Sequence, residues 1–162
     1  MEIFFTVVAG TMTFVAGQVA LKILIEPVHM MKNTISEISH DLILYANIYA
    51  NPKALGIDEH QDNALKKFRM LSSKLQADMA LIPAYKWICK FFGLPTIQNI
   101  RIASSSLIGL SNGHDAALNN QGILNCYSAQ KVKLALGIYI DKSELMDPDK
   151  ERKFISAKEG TR

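Results

Sequence analysis

Residues 3–21, IFFTVVAGTMTFVAGQVAL, carry no charge and are almost wholly apolar. As a helix this run is about 28 Å long at the usual rise per residue, close to the roughly 30 Å hydrocarbon core of a bilayer. Ile23, Leu24 and Ile25 extend it, because the stem of Lys22 can reach outward and keep its ammonium in water. The stretch predicts a transmembrane anchor over residues 1–25. A cleaved signal peptide is the main rival reading. Such a signal wants a basic leader and a small-x-small cleavage site. Only Met1 and Glu2 precede the run, and Val15-Ala16-Gly17 fits a cleavage site poorly. A core helix of a soluble domain is the third reading.

Cations set the expected orientation. Lys22, Lys32 and Lys53 follow the run, and no Lys or Arg precedes it. The positive-inside rule then places Met1 outside and the remaining domain in the cytoplasm. Cys89 and Cys126 stand alone, with no CxxC pair and no disulfide framework, as expected of a reducing compartment.

The 162 residues leave room for the span and one compact domain. Residues 22–140 hold 12 Lys/Arg and 8 Asp/Glu, while residues 141–162 hold 6 of each. A mild positive excess suits a domain beside an anionic leaflet. It is too weak, and too scattered, for a nucleic-acid polymer.

Past the span, the sequence predicts an all-α bundle over residues 26–140. Gly and Pro sit between segments of helical period, and no stretch alternates with period two. Residues 27–49 carry a heptad stripe of Val28, Met31, Ile35, Ile38, Leu42, Tyr45 and Tyr49, closed by Asn51-Pro52. Asp58 is the expected N-cap of a helix over 58–82, which Pro83 stops. A short helix over 84–92 ends at Gly93. Thr96 caps a helix over 97–111, Asn112-Gly113 turns the chain, and a last helix spans 114–136 and ends at Gly137. Residues 141–162 are charged, contain Pro148 and lack an apolar face. They read as a largely disordered tail that folding can do without.

Several constellations invite a functional reading. Thr6, Gly10, Thr13, Gly17 and Ala20 form a stripe of small residues along the span. Helices in lipid associate where small residues let backbones approach, because lipid supplies no hydrophobic drive between them. The stripe therefore predicts a homo-oligomer. Its column Thr6, Thr13, Ala20 slips at Pro27 and resumes at Val28. Lys66, Lys67, Arg69 and Lys74, with Arg101, are a candidate site for an anionic small molecule such as a nucleotide. A solvated helix face is the plainer reading of the same residues. In residues 84–92, AYKWICKFF, aromatics interleave with Lys86 and Lys90, the pattern of a helix at the lipid headgroups. Burial within the bundle explains the same aromatics.

Glu26-x-x-His29 and Glu37-x-x-His40 repeat an ExxH pair on one helix. A di-iron bundle takes such pairs from two different helices, so no metal is expected. Ser104, Ser105 and Ser106 lack a nucleophile elbow. There is no P-loop, GxGxxG or HExxH, and neither enzymatic activity nor a cofactor is expected.

Three segments, IEPVHMMKNTISEISHDLILYANIYANP, LSSKLQADMALIPAYKWICKFFGLP and IASSSLIGLSNG, together resemble a family of short bacterial membrane proteins. Its members have one N-terminal span and a helical cytoplasmic domain. The resemblance covers about residues 15–113. It implies a bacterial inner-membrane location and brings no activity, ligand or catalytic residue with it. The expected function is a membrane-anchored, non-enzymatic interaction or effector module that self-associates through its span. The alternative is a ligand-gated membrane effector whose basic bundle binds an anionic small molecule.

Overall fold

The computed structural model describes residues 1–115 and 118–155. These residues form helices and turns, with no β-strand among them. α1 (Glu2–Ala20) passes through one π-helical turn (Leu21–Ile25) into α2 (Glu26–Leu44) without a break. This run of 43 residues measures about 65 Å at the usual helical rise. The wide turn has a local cause. Pro27 has no N–H to offer the carbonyl of Ile23, and its ring would press on that carbonyl. A π turn takes in one extra residue and moves the contact aside. That residue is the step of eight that carries the small column from Ala20 to Val28.

Tyr45 breaks the helix with φ −98° and ψ 16°, and α3 (Ala46–Ala50) follows. The rings of Tyr45 and Tyr49 both meet Phe68, with centroids 5.9 and 6.3 Å away. The single helix expected over 27–49 is therefore two, bent so that both tyrosines face one phenylalanine.

α4 (Glu59–Leu81) starts where Asp58 accepts the backbone N–H groups of His60 and Gln61 at 3.0 and 3.4 Å. Gln61, buried in its first turn, pairs its side-chain amide with the backbone of Lys53 on both sides. It accepts from the Lys53 N–H at 2.6 Å and donates to the Lys53 carbonyl at 2.7 Å. Ile82 and Pro83 end α4, and Ala84 takes a left-handed conformation (φ 47°). α5 (Tyr85–Phe92) then closes on Gly93 (φ 64°), after which the Leu94 N–H reaches back to the Cys89 carbonyl at 2.8 Å.

Thr96 caps α6 (Ile97–Ser111) through the Asn99 N–H. α7 (Gln121–Leu136) ends at left-handed Gly137 (φ 71°). It begins seven residues later than the sequence reading, at Gln121 rather than His114. The preceding segment is used elsewhere: Asp115 donates its N–H to the Lys53 carbonyl at 3.0 Å.

α2, α4, α6 and α7 pack antiparallel in sequence order. Thr34 meets Asp78 and Glu37 meets Lys74 across α2 and α4. Ser72 meets Ser104 across α4 and α6, and Ser128 lies against Gly109 across α6 and α7. One core joins them, with Met31, Ile38, Phe68, Leu75, Leu107 and Val132 fully enclosed. α1 contributes no buried residue to it.

Residues 141–155, expected as a disordered tail, carry local structure here. Two 3₁₀ turns, Lys142–Glu144 and Pro148–Phe154, lie beside α7. Asp141 and Asp147 cap them. Gln130 brackets Met146 with two hydrogen bonds, 2.9 and 2.7 Å, and the Tyr127 hydroxyl donates to the Asp147 carbonyl at 2.9 Å. Polar side chains of α7, together with the Tyr127 ring 6.3 Å from that of Phe154, hold this charged segment. Residues 156–162 fall outside the described part of the chain.

Candidate functional site

α1 is long and apolar enough to cross a membrane. Phe4, Phe5, Met12 and Phe14 all stand exposed on it. Along the small stripe, the Thr6 hydroxyl donates to the Glu2 carbonyl at 3.0 Å and that of Thr13 to the Ala9 carbonyl at 2.9 Å. Both hydroxyls are satisfied within the helix and present no unpaired donor. A Cβ added at Gly10 or Gly17 would meet nothing within 4 Å. With Ala20, these residues make a flat strip down one side of α1.

A polar seam ties α2 to α4. Thr34 donates its hydroxyl to Asp78 at 2.5 Å, with both residues buried. One turn further on, Glu37 accepts from Lys67 at 2.6 Å and from Lys74 at 2.7 Å. The Lys67 bond, then the Lys74 bond, hold the Glu37 carboxyl below its ordinary range, and Glu37 in turn holds Lys67 above its own. Asp41 is buried, with Lys67 3.8 Å from one oxygen and His40 3.0 Å from the other.

The five basic residues singled out in the sequence do not form one site. Lys67 and Lys74 belong to the seam, where both pair with Glu37. Lys66 and Arg69 face the other way, into a cleft of about 370 Å³ lined also by Asp62, Ser111, Asn112 and His114. There the Arg69 guanidinium donates to the Asn112 side chain at 2.7 Å. Arg101 lies ten residues before Ser111, about 15 Å away along α6. Sequence reasoning missed the seam and the cleft's polar wall. Thr34 and Asp41, seven apart beside the apolar stripe of α2, were the available signal for the first. The cleft needs α6 to be brought against α4, which no local pattern gives.

α5 is two-sided. Tyr85 and Cys89 are buried, and the Tyr85 hydroxyl donates to the Pro95 carbonyl at 2.7 Å. Lys86, Trp87, Lys90 and Phe91 are all exposed. Both ExxH histidines lie on α2, and Glu37 is already held by two lysines. Among the described residues no three His, Cys, Asp or Glu side chains gather as a metal site would require.

Comparisons of the chain with protein-family models, with curated proteins and with solved structures find no match.

Proposed function

We propose that the chain is a membrane-anchored, non-enzymatic interaction or effector module of a bacterial inner membrane. α1 is its span, the bundle faces the cytoplasm, and copies associate along Thr6, Gly10, Thr13, Gly17 and Ala20. One observation carries the reading: a nineteen-residue apolar helix buries nothing against its own domain, yet runs unbroken into it. A core helix would be covered by the bundle. A cleavable leader has no need of an unbroken helical connection to the mature domain. Exposed apolar area on this scale is costly in water and costs nothing in lipid. Lys22, Lys32 and Lys53 on the bundle side support the cytoplasmic orientation. The continuous π-helical joint would pass movement between spans into α2, and the α2–α4 seam would carry it into the bundle.

The test is alkaline extraction of membranes from cells expressing the full chain, paired with a C-terminal phosphatase or fluorescent-protein fusion. The anchored reading expects the chain in the membrane pellet and a bright fluorophore. Release by carbonate removes the anchor, and phosphatase activity reverses the orientation.

A second reading, a ligand-gated effector, is favoured by the cleft where Lys66 and Arg69 converge with Ser111, Asn112 and His114. Two cations and three polar side chains suit a phosphate-bearing small molecule, although Asp62 on the same wall opposes an anion. Thermal-shift screening with nucleotides, repeated on Arg69→Ala, separates this reading from the first.

A further inference from the structure

α5 sits at the end of the bundle from which α1 leaves. Asp78 is level with Thr34 across the antiparallel α2–α4 pair. Eight residues lead back from Thr34 to Glu26, where α2 begins. The chain past Asp78 runs the same way and enters α5 at Tyr85. At this end Trp87 is 73 % exposed and Phe91 83 % exposed. They stand four apart on one face of α5, flanked by Lys86 and Lys90. Tyr85 and Cys89 pin the opposite face, so the aromatic side is held outward.

We propose that Lys86, Trp87, Lys90 and Phe91 dock on the anionic lipid headgroups of the bilayer that α1 enters, which makes α5 an interfacial foot of the bundle. The proposal rests on the reading of α1 as a span. Trp favours the headgroup level, where its ring is sheltered and its N–H stays hydrated. Lysines beside it gain from the negative surface potential, which decays within a Debye length. Lys22, at the end of the span, adds a third cation on the bundle side, and Glu26 is the acid that opposes them. Eight residues are too few to hold a free peptide on a membrane. Tethering by α1 makes docking intramolecular, so weak contacts suffice. A second copy of the chain fits this face less well, because a two-fold contact would bring four lysines together.

Trp87 is the only tryptophan, so its fluorescence reads this face alone. The full chain is reconstituted in phosphatidylcholine vesicles, with or without phosphatidylglycerol, carrying lipids brominated near the top or near the end of the acyl chains. Docking predicts a blue-shifted emission, stronger quenching by the shallow bromines, protection from acrylamide, and an enhancement by phosphatidylglycerol. Lys86→Glu with Lys90→Glu should lower the docked fraction severalfold, and Phe91→Ser should lower it in both lipids. Both substitutions lie on exposed positions and leave the buried face of α5 intact. Carbonate extraction of the same vesicles separates the two claims. Extraction-resistant protein whose Trp87 stays open to acrylamide and untouched by bromine overturns the foot and keeps the anchor. Quenching in protein that carbonate releases keeps the foot and removes the anchor. An emission shift that follows protein density and ignores bromine shows a contact between copies and overturns the lipid assignment.

Discussion

The hydroxyl of Thr34 donates to the carboxylate of Asp78 at 2.5 Å, deep between α2 and α4, where the two residues are 0 % and 3 % exposed. This bond joins the helix that continues α1 to the rest of the bundle. A hydrogen bond to a buried carboxylate is worth more than a neutral one, since losing the donor strands a desolvated acceptor. Thr34→Val keeps the shape and removes the donor. It should destabilise the full chain in detergent by about 1.5–3 kcal/mol, read as a lower thermal midpoint. Thr34→Ser, which retains the hydroxyl, should recover most of the loss.

Glu37 gives the seam a pH dependence. Its carboxyl is held below the ordinary value of 4.5, first by Lys67 and then by Lys74. A lowered carboxylate adds stability that is present above its unfolded value and is lost as pH falls through the folded one. The contribution therefore fades in the window below 4.5. Lys67, held above 10.5, adds stability that is full below that value and fades as pH rises beyond it. Glu37→Gln should flatten the acid limb of a stability–pH curve. The pair is partly open to solvent, so the effect should shrink with added salt.

Two glycines on facing helices should respond to alanine with opposite signs. A Cβ at Gly122 would collide with the carbonyl oxygen of Ala50 and lie 3.2 Å from Pro52. The start of α7 must then back away from α3, and Gly122→Ala should cost about 1–3 kcal/mol. At Gly109 the new methyl meets only the Ser128 hydroxyl, at 3.5 Å. There alanine gains helix propensity of roughly 0.8–1 kcal/mol. Paired thermal-unfolding curves measure both. Equal shifts in one direction would refute the close approach of α7 to the Ala50 backbone.

The segment after α7 should matter to stability. Gln130 brackets Met146 as a neighbouring strand would, accepting its N–H at 2.7 Å and donating to its carbonyl at 2.9 Å. Lys131 adds an ion pair with Glu151 at 2.7 Å. Gln130→Ala should expose residues 141–155 to limited proteolysis while α2–α7 stay protected. Deleting 141–162 should lower the thermal midpoint by several degrees, since about 1 kcal/mol shifts a domain of this size by a few degrees.

Helix ends were legible in the sequence wherever one residue dictates the backbone. Asp58 and Thr96 cap as their side chains require, and Gly93 and Gly137 take the left-handed turns expected of them. The slip in the stripe at Pro27 was visible too, and its cause is the π turn. What stayed hidden depends on partners far away in the chain. The late start of α7 follows from the Asp115–Lys53 bond, and the ordered tail from Gln130. The basic cluster shows the same limit. Lys66 and Lys67 are neighbours in sequence, yet a helix turns them about 100° apart. One enters the cleft, and the other binds Glu37. The exposed face of α5 could be read from AYKWICKFF. Its place at the end of the bundle where α2 begins needed the antiparallel register of α2 and α4.

Self-association of the span is tested most directly by energy transfer between fluorescent-protein fusions of the full chain in native membranes. Gly10→Ile with Gly17→Ile places β-branched side chains on the flat strip. Val8→Ile with Val15→Ile leaves the same side chain on the opposite side of α1, one methylene larger than the valine at each position. Helices in lipid associate where small residues let backbones approach, so the glycine pair should weaken assembly severalfold or more. The valine pair should leave the transfer signal unchanged. Equal signals from the two variants would contradict association along Thr6, Gly10, Thr13, Gly17 and Ala20, and would leave the bundle to build any oligomer.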